Sequence, residues 1–214
     1  MQRWGPRQPP YQRHRWFREG RTVGWGRKAL PSYHMDSTAD EILCPEANTV
    51  LLTDEIDDYL ARKVIYSLMY LNATLPMATP IYLVIASGGG DLFAGQAIAD
   101  AVRIVAKNRE VHGRVVGYAM SAAVFPLLSC TTRTASRHAF LMVHGLDSLN
   151  HGDIRSQEAE MALNKKLAIM HGEQLAERTG KPLSYWEPIL ADHMPHYYTA
   201  TEALEEGLID TVEG

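Results

Sequence analysis

The sequence has no long hydrophobic run and few cysteines, and each absence narrows the class of protein. No stretch approaches about 18 consecutive apolar residues, and the N-terminus lacks the apolar segment of a secretory signal, so we expect no membrane span. The two cysteines, Cys44 and Cys130, stand in no CxxC or CxxH pattern. This favours a reduced, cytoplasmic compartment without structural zinc. With 214 residues, 46% of them hydrophobic, the chain can bury one substantial core.

Residues 1–35 differ from the rest of the chain in charge and pattern. They hold eight basic residues and one acidic residue, a net charge of +7, so the overall charge of −4 leaves −11 for the remainder. Arg, Gly, Pro and Trp are mixed there without helical or strand periodicity, which predicts a flexible basic extension outside the core. We therefore place the globular domain at residues 36–214.

Three interpretations of this extension stay open. It is a disordered or locally docked tail, a contact for nucleic acid or another acidic surface, or a targeting segment for an organelle. Arginine supplies phosphate contacts and tryptophan can stack, whereas serine, which is expected in transit sequences, is scarce. Elsewhere in the chain, nucleic acid is not an expected partner.

From about residue 42 the pattern alternates between strands and helices. Residues 49–52 predict a short buried strand, and residues 54–71 predict a helix because apolar residues recur at four-residue steps. The β-branched and aromatic run at 81–85 is typical of a strand covered on both faces. Strand, helix and strand in this order predict a right-handed βαβ unit, and hence an α/β fold.

The remaining predicted elements continue this alternation. They are a helix at about 94–105, a strand at 111–116, a helix at 122–128, a strand at 139–143, a long helix at 153–178 and a short last helix. The long helix is expected to project and to pair with another subunit. Gly180 is its predicted C-cap, and Thr199 with Glu202 forms a capping box for the last helix.

A serine between small residues follows the predicted strand at 111–116. The sequence Gly-Tyr-Ala-Met-Ser-Ala-Ala-Val at 117–124 places Ser121 at the start of an Ala-rich helix. Free backbone N–H groups and the positive helix dipole favour a nucleophile there. Small residues at such a point also let a helix pack closely against a sheet. Ser121 is therefore a candidate nucleophile, with packing as the competing interpretation.

Two further features follow neighbouring predicted strands. Ser-Gly-Gly-Gly at 87–90 either offers N–H groups to a phosphate or an oxyanion, or is a turn required by packing. It matches neither of the phosphate patterns GxGxxG and GxxxxGK[ST]. His144 ends the apolar run at 139–143 and is either a structural residue or a general base.

Together these motifs resemble the proteolytic subunit of the Clp protease (ClpP) and its relatives, which include virus-encoded and inactive homologues. The resemblance covers roughly residue 43 to the C-terminus. It is carried in order by Ser-Gly-Gly-Gly, Gly-x-Ala-x-Ser-Ala-Ala, Leu-Met-Val-His and Thr-Ala-x-Glu-Ala-x-x-x-Gly-Leu-Ile-Asp. It implies a crotonase-like fold of stacked βαβ units, with the long helix as a handle between two stacked rings that cut unfolded polypeptide.

Further implications concern partners and cofactors. The rings contain one kind of subunit or several, and a separate AAA+ unfoldase hydrolyses ATP, for which this chain has no P-loop. Peptide cleavage of this kind requires no metal or organic cofactor. Residues 150–153 correspond to the start of a mobile segment near the active site.

By position, the resemblance assigns roles to four residues of this chain. Ser121 is the nucleophile, His144 is the general base, and the N–H groups of Gly90 and Ala122 form the oxyanion hole. An imidazole must remove the hydroxyl proton before a serine attacks, and preorganised donors then stabilise the tetrahedral intermediate. The family's Ser-Pro-Gly-Gly is Ser-Gly-Gly-Gly here, which predicts a looser loop.

The third member of the triad is the main departure. The family's aspartate position falls on Pro195, in a segment about two residues longer than usual. Asp192 is therefore the expected orienting residue, with His193 and His196 as less favoured candidates. If Asp192 cannot reach His144, activity would need the serine–histidine dyad alone or a group supplied by a partner. The alternative is an inactive structural subunit of a mixed ring.

An acyl-CoA hydratase or isomerase of the same fold is a third class. Its chemistry needs two backbone N–H groups but no serine nucleophile, so Ser121 and His144 argue against it.

Overall fold

The structure is a computed structural model that describes residues 42–146, 154–192 and 194–214. The predicted extension at 1–35, the segment at 150–153 and His193 lie outside the described residues. The predicted boundary between residues 35 and 36 lies there too, and it stays a prediction.

Within the described ranges, eight strands and six α-helices alternate along the chain. The strands are β1 (Leu43–Cys44), β2 (Thr49–Leu52), β3 (Ile81–Ser87), β4 (Val111–Met120), β5 (Thr132–Ser136), β6 (Phe140–Val143), β7 (His196–Thr199) and β8 (Thr211–Glu213). The helices are α1 (Asp58–Thr74), α2 (Leu92–Ala106), α3 (Val124–Leu128), α4 (Ile154–Thr179), α5 (Leu183–Ala191) and α6 (Ala200–Glu205). The predicted α/β class is confirmed.

The strands form one mixed sheet in the order β1-β2-β3-β4-β5-β8, while β6 pairs with β4 and with β7. Strands β2 to β5 are mutually parallel, and β1 and β7 are antiparallel to their neighbours. Strand β3 lies between two parallel neighbours, and Leu83 and Ile85 are completely buried. Tyr82 on the opposite face is 41% exposed in the single chain, so the predicted cover of this strand on both faces is not observed here. The unit β2-α1-β3 is the predicted βαβ unit.

Strand β4 has ten residues and extends beyond the predicted end at residue 116. Its first part pairs with β5 from His112 to Val115, and its last part, from Tyr118 to Met120, pairs with β6. Gly117, with φ of +83°, lies between these two parts. The strand therefore changes partners partway along its length, and β6 ends beside the residue that follows β4.

Three other elements differ from the sequence predictions. Helix α1 begins at Asp58 rather than at 54, because the side chain of Asp57 accepts a hydrogen bond of 2.7 Å from the N–H of Leu60 and caps the helix. The 3₁₀ turn Ser121–Ala123 replaces the first turn of the helix predicted at 122–128. Helix α5 was not predicted, although its Trp186 is completely buried.

The long helix α4 has 26 residues and two different halves. Its C-terminal part is buried at His171 and Leu175, whereas Met161 and Ile169 nearer its start are 52% and 55% exposed. Gly180 follows it with φ of +73° and donates a 3.0 Å hydrogen bond to the carbonyl of Ala176, so the predicted C-cap is confirmed.

The C-terminal segment is held to the sheet by polar contacts as well as by strand pairing. The capping box of Thr199 and Glu202 is formed as predicted. The guanidinium of the buried Arg133 in β5 pairs with Asp210 and donates to the carbonyls of Gly207 and Arg178 at 3.0 and 3.1 Å. In the part of the chain that the structure describes, no helix is both long and apolar enough to cross a membrane.

Candidate active site

Ser121 and His144 lie within hydrogen-bond distance of each other. The Oγ atom of Ser121 is 2.8 Å from Nε2 of His144. Ser121 begins the 3₁₀ turn between β4 and α3 with φ of +53°, a left-handed conformation that is uncommon for a residue other than glycine. Such strain is often found at functional sites, where surrounding structure holds it in place. This distance is the one required for proton transfer from a hydroxyl to an imidazole.

The branched pairing of β4 explains how residues 23 positions apart meet. Strand β6 runs parallel to the end of β4, with Met120 opposite Met142. Because parallel strands end at the same edge of a sheet, Ser121 and His144 leave that edge side by side. The two predicted strands that precede Ser121 and His144 therefore end next to each other. The neighbour of β4 at this end is β6, not β5.

The glycine loop is packed directly against the serine turn. A Cβ atom on Gly89 would lie 2.8 Å from the Cβ of Ser121 and 2.7 Å from the carbonyl oxygen of Met120, so only glycine fits there. The buried hydroxyl of Ser87 accepts from the N–H of Gly89 at 3.2 Å and donates to the carbonyl of Asp54 at 2.6 Å. The loop is therefore held on both sides at Gly89, while the looser loop predicted from Gly88 in place of the family's proline stays a prediction.

Gly90 lies beside Ile56, with which it forms an isolated parallel bridge. The flanking residues add hydrogen bonds of 2.7 Å, from the N–H of Ile56 to the carbonyl of Gly89 and from the N–H of Asp91 to the carbonyl of Ile56. A Cβ atom on Gly90 would lie 2.3 Å from the carbonyl oxygen of Ile56. Glycine is thus required at this position by Ile56, in addition to any need for access by a substrate.

Ala122, the residue after the serine, is buried and packs against helix α2. A Cβ atom on Gly95 of that helix would lie 3.0 Å from the Cβ of Ala122. Two small residues therefore let α2 approach the serine turn closely, as the packing interpretation of the sequence held. This packing and a role of the Ala122 N–H in oxyanion binding are compatible, since the first uses the side chain and the second the backbone.

The serine turn, His144 and the end of the glycine loop face one cavity of about 510 Å³. Gly90, Ser121, Ala122 and His144 contribute to its wall, together with apolar side chains of α2, α3 and α4. The apolar members are Leu92, Phe93, Val124, Phe125, Val143, Leu146, Leu163, Leu167 and Leu175. A pocket of this size and character can hold an apolar side chain together with the adjoining peptide.

His171 of α4 also lines this cavity and was not singled out from the sequence. Its ring stacks on Phe125 with the centroids 4.0 Å apart, and the residue is only 2% exposed. Burial lowers the pKa of His171 to about 4, so its imidazole is neutral at pH 7. A histidine within a helical pattern of apolar residues resembles any other core-facing position, and this is why the sequence alone did not identify it.

Asp192 lies at the edge of the site. It follows α5, and a Cβ atom on Gly145, the residue after His144, would lie 3.2 Å from the carbonyl oxygen of Asp192. The exposed carboxylate accepts a 3.1 Å hydrogen bond from the N–H of Met194 and lies 3.7 Å from Nε2 of His196. The backbone of Asp192 is thus brought beside the residue after His144, while its carboxylate faces Met194 and His196.

The pairing of β6 with β7 indicates where Pro195, the residue predicted to occupy the position of the family's aspartate, lies relative to His144. Val143 pairs with His196 in this antiparallel ladder, and extending the register by one residue sets Pro195 across from His144. Proline offers neither a carboxylate nor an N–H, so position 195 contributes no acceptor for the imidazole from its side chain.

A serine hydroxyl beside an imidazole, with glycine-rich backbone at the same edge of a mostly parallel sheet, defines the class of serine hydrolases. The comparisons with known proteins narrow this class. The family model described as Clp protease matches residues 37–214. The chain therefore belongs to the Clp protease family, which places it at the family level among peptidases, and the predicted family is confirmed. Nothing in these matches favours the acyl-CoA class.

Curated relatives agree with the family match. The chain is 32% identical over 169 residues to the ATP-dependent Clp protease proteolytic subunit of Adiantum capillus-veneris, which covers 76% of this chain and 80% of that protein. It is 33% identical over 188 residues to proteolytic subunit 3 of Rhodococcus jostii, covering 86% and 89%. Proteolytic subunit 1 of Prochlorococcus marinus (strain MIT 9312) is 32% identical over 169 residues, covering 76% and 82%.

Proposed function

We propose that this chain is a catalytically active serine endopeptidase subunit in which Ser121 is the nucleophile and His144 the general base. The observation that carries this proposal is the 2.8 Å distance between Oγ of Ser121 and Nε2 of His144, at the wall of a cavity of about 510 Å³. A histidine with a purely structural role would not need a serine hydroxyl as its partner at the wall of a cavity. The substrate class is unfolded polypeptide.

The reaction follows from these positions. Nε2 of His144 accepts the hydroxyl proton while Oγ of Ser121 forms a bond to the scissile carbonyl carbon, and the carbonyl oxygen becomes an oxyanion. The imidazolium then gives its proton to the leaving amine as the C–N bond breaks. Water, activated by the same imidazole, hydrolyses the acyl-enzyme and restores the serine.

The oxyanion is assigned to the backbone N–H groups of Gly90 and Ala122. Both residues line the cavity beside Ser121, and the glycine loop is held by Ser87 and Ile56. Donors that are fixed before the reaction cost no reorganisation when charge develops, and losing one typically costs roughly 3–4 kcal/mol of transition-state stabilisation.

Asp192 is the proposed third member of the triad. Its backbone already adjoins Gly145, and its carboxylate is 52% exposed, so the proposal requires this side chain to rotate from His196 toward the imidazole of His144. His196 is the competing orienter, because it lies opposite Val143 in β7. His193 stays a candidate outside the described residues.

We further propose that the chain works in a double-ring assembly, of one kind of subunit or several, with a separate AAA+ unfoldase. The relatives are named as subunits of an ATP-dependent protease. Helix α4 supports the assembly because Met161 and Leu163 in its first half and Ile169 just beyond its middle are 52%, 43% and 55% exposed in the single chain. Cytoplasmic or organellar location, and any contact of residues 1–35 with nucleic acid, stay predictions.

The test of the nucleophile is labelling of the purified protein with a fluorophosphonate, followed by mass spectrometry to locate the adduct. Ser121→Ala is the control, and Ser129→Ala is a matched serine variant, since the Ser129 hydroxyl donates to the carbonyl of Phe125 at 2.9 Å. We expect an adduct on Ser121 alone. No adduct in an assembled ring would contradict the proposal and identify the chain as an inactive structural subunit.

A second pair of variants tests the third residue of the triad. Asp192→Asn removes the carboxylate charge with little change in shape, and His196→Gln removes the competing imidazole. If Asp192 orients His144, the first variant loses about 10⁴-fold in turnover, as in known triads, and the second keeps most of it. If His196→Gln loses the turnover and Asp192→Asn keeps it, the orienting role belongs to His196. Full activity in both variants would mean that neither residue orients His144.

A further inference from the structure

His171 is a buried polar group inside the cavity that the proposed reaction does not use. Its Nε2 atom is inaccessible to solvent and has no hydrogen-bond partner among the described residues. The ring belongs to the cavity wall and stacks on Phe125, which follows Ser121 by one helical turn. A buried polar atom without a partner costs free energy, and a small rotation of the ring toward the cavity on substrate binding would let it pair with a substrate group and recover that cost.

The surroundings of His171 in the cavity are apolar. Leu167 and Leu175 precede and follow it by one turn of α4, and both line the cavity. Glu160, the acidic residue of α4 in the same wall, lies eleven residues earlier, which is about 16 Å along the helix axis. Asn164 of α4 also lines the cavity, seven residues before His171 and about 10 Å along the axis, so His171 is the last polar residue of α4 in this wall.

We infer that His171 is the polar end of the substrate pocket and selects a neutral side chain with a hydrogen-bonding tip over its apolar isostere. The selected residue is the one preceding the scissile bond, and glutamine and tyrosine are the side chains of suitable length. This inference rests on the proposed function of Ser121 and His144.

The charge of the pocket explains why the selected side chain is neutral. The imidazole is uncharged at pH 7, so one ring nitrogen donates a hydrogen bond and the other accepts one. An amide or a phenol hydroxyl can satisfy either tautomer. A lysine or glutamate tip would have to be buried among Phe125, Leu167 and Leu175 without an opposite charge, which is costly.

The test measures binding rather than cleavage, so that it does not depend on an active triad. Fluorescein-labelled peptide acids that differ only in their last residue are titrated against the assembled Ser121→Ala protein, and anisotropy gives the dissociation constants. Two isosteric pairs are compared: glutamine against methionine, and tyrosine against phenylalanine. The same titrations are repeated after His171→Met, His171→Leu and His171→Gln.

We expect the polar member of at least one pair to bind more tightly than its apolar partner. His171→Met and His171→Leu should each lower that preference about tenfold, and His171→Gln should retain most of it because an amide also pairs with a polar tip. Leu167→Met is the matched control, since it changes the shape of the same wall without changing its polarity. It should affect both members of a pair alike.

Three results would overturn the inference. They are a preference for the apolar member in both pairs, an unchanged preference in the folded His171→Met or His171→Leu protein, and no binding of any peptide. A failure of the proposed function is visible separately as absent fluorophosphonate labelling of Ser121. A chain that is not labelled but still selects the polar member would be an inactive subunit with an intact substrate pocket.

Discussion

The Cβ atom of Ser121 lies 2.8 Å from the point that a Cβ on Gly89 would occupy. The glycine loop and the serine turn are therefore in direct contact, and the geometry of one depends on the other. Gly89 also has φ of +94°, which disfavours any residue with a side chain. Its position identifies Gly89 as a support of Ser121, the proposed nucleophile.

Gly89→Ala should therefore displace the serine turn. We expect labelling of Ser121 by a fluorophosphonate to slow about 100-fold, because small misplacements of reacting groups have effects of this size. Gly88→Ala is the matched control, since a Cβ atom there meets nothing within 4 Å and Gly88 is not among the glycines with positive φ. Equal labelling rates in the two variants would contradict the assigned contact.

Arg133→Lys should lower the free energy of unfolding by about 3 kcal/mol. The guanidinium of Arg133 is buried and contacts Asp210, Gly207 and Arg178, and an ammonium cannot reproduce this planar set of donors. Chemical denaturation measures the change. Arg114→Lys is the control, because its pair with Glu213 is half-exposed and should contribute less than about 1 kcal/mol. Similar losses in both variants would argue against a special role for the buried arginine.

The two thiols should differ in reactivity. Cys44 is exposed, whereas Cys130 is buried, and this burial raises the pKa of the Cys130 thiol to about 12. Since the thiolate is the reactive form, the native protein should react with a disulfide reagent at one thiol per chain and the unfolded protein at both. Cys44→Ser should abolish the fast reaction. Rapid loss of both thiols under native conditions would mean that the region around Cys130 opens readily.

Stability should fall between neutral and mildly acidic pH because of His171. Its folded-state pKa of about 4 lies below the ordinary 6.5, so the unfolded chain binds a proton first as the pH decreases. The neutral imidazole makes its full contribution to the free energy of unfolding above about pH 6.5. This contribution is lost as the pH falls toward 4. By pH 5 the loss amounts to about 2 kcal/mol.

Chemical denaturation at pH 7 and pH 5, at one protein concentration, checks this prediction. The free energy of unfolding should change less between pH 7 and pH 5 in His171→Met than in the unmodified protein. The two changes should differ by about 2 kcal/mol. An equal pH dependence in both proteins would place the acid-sensitive group elsewhere in the chain.

Much of the fold could be predicted because its signals are local. Apolar runs marked the buried strands β2, β3 and β6, four-residue steps marked α1, and Gly180 and the Thr199 capping box marked helix ends. Helix α5 was not predicted, although Pro182 precedes it at a position where proline is tolerated, and Pro188 lies inside it. The end of β4 was misplaced because its change of partner occurs between elements distant in the chain.

The sequence by itself determined the order of the motifs, the alternation of strands and helices, and the candidate pair Ser121 and His144. These follow from residue type and spacing, which act over a few residues. Only the tertiary structure decided that the pair meets at 2.8 Å, that Gly89 supports the serine, that the Asp192 carboxylate faces His196 and that His171 is buried in the same cavity. The physical reason is that strand register and helix packing bring together residues that are distant in the sequence. The local sequence pattern around one such residue does not predict which distant residue it will contact.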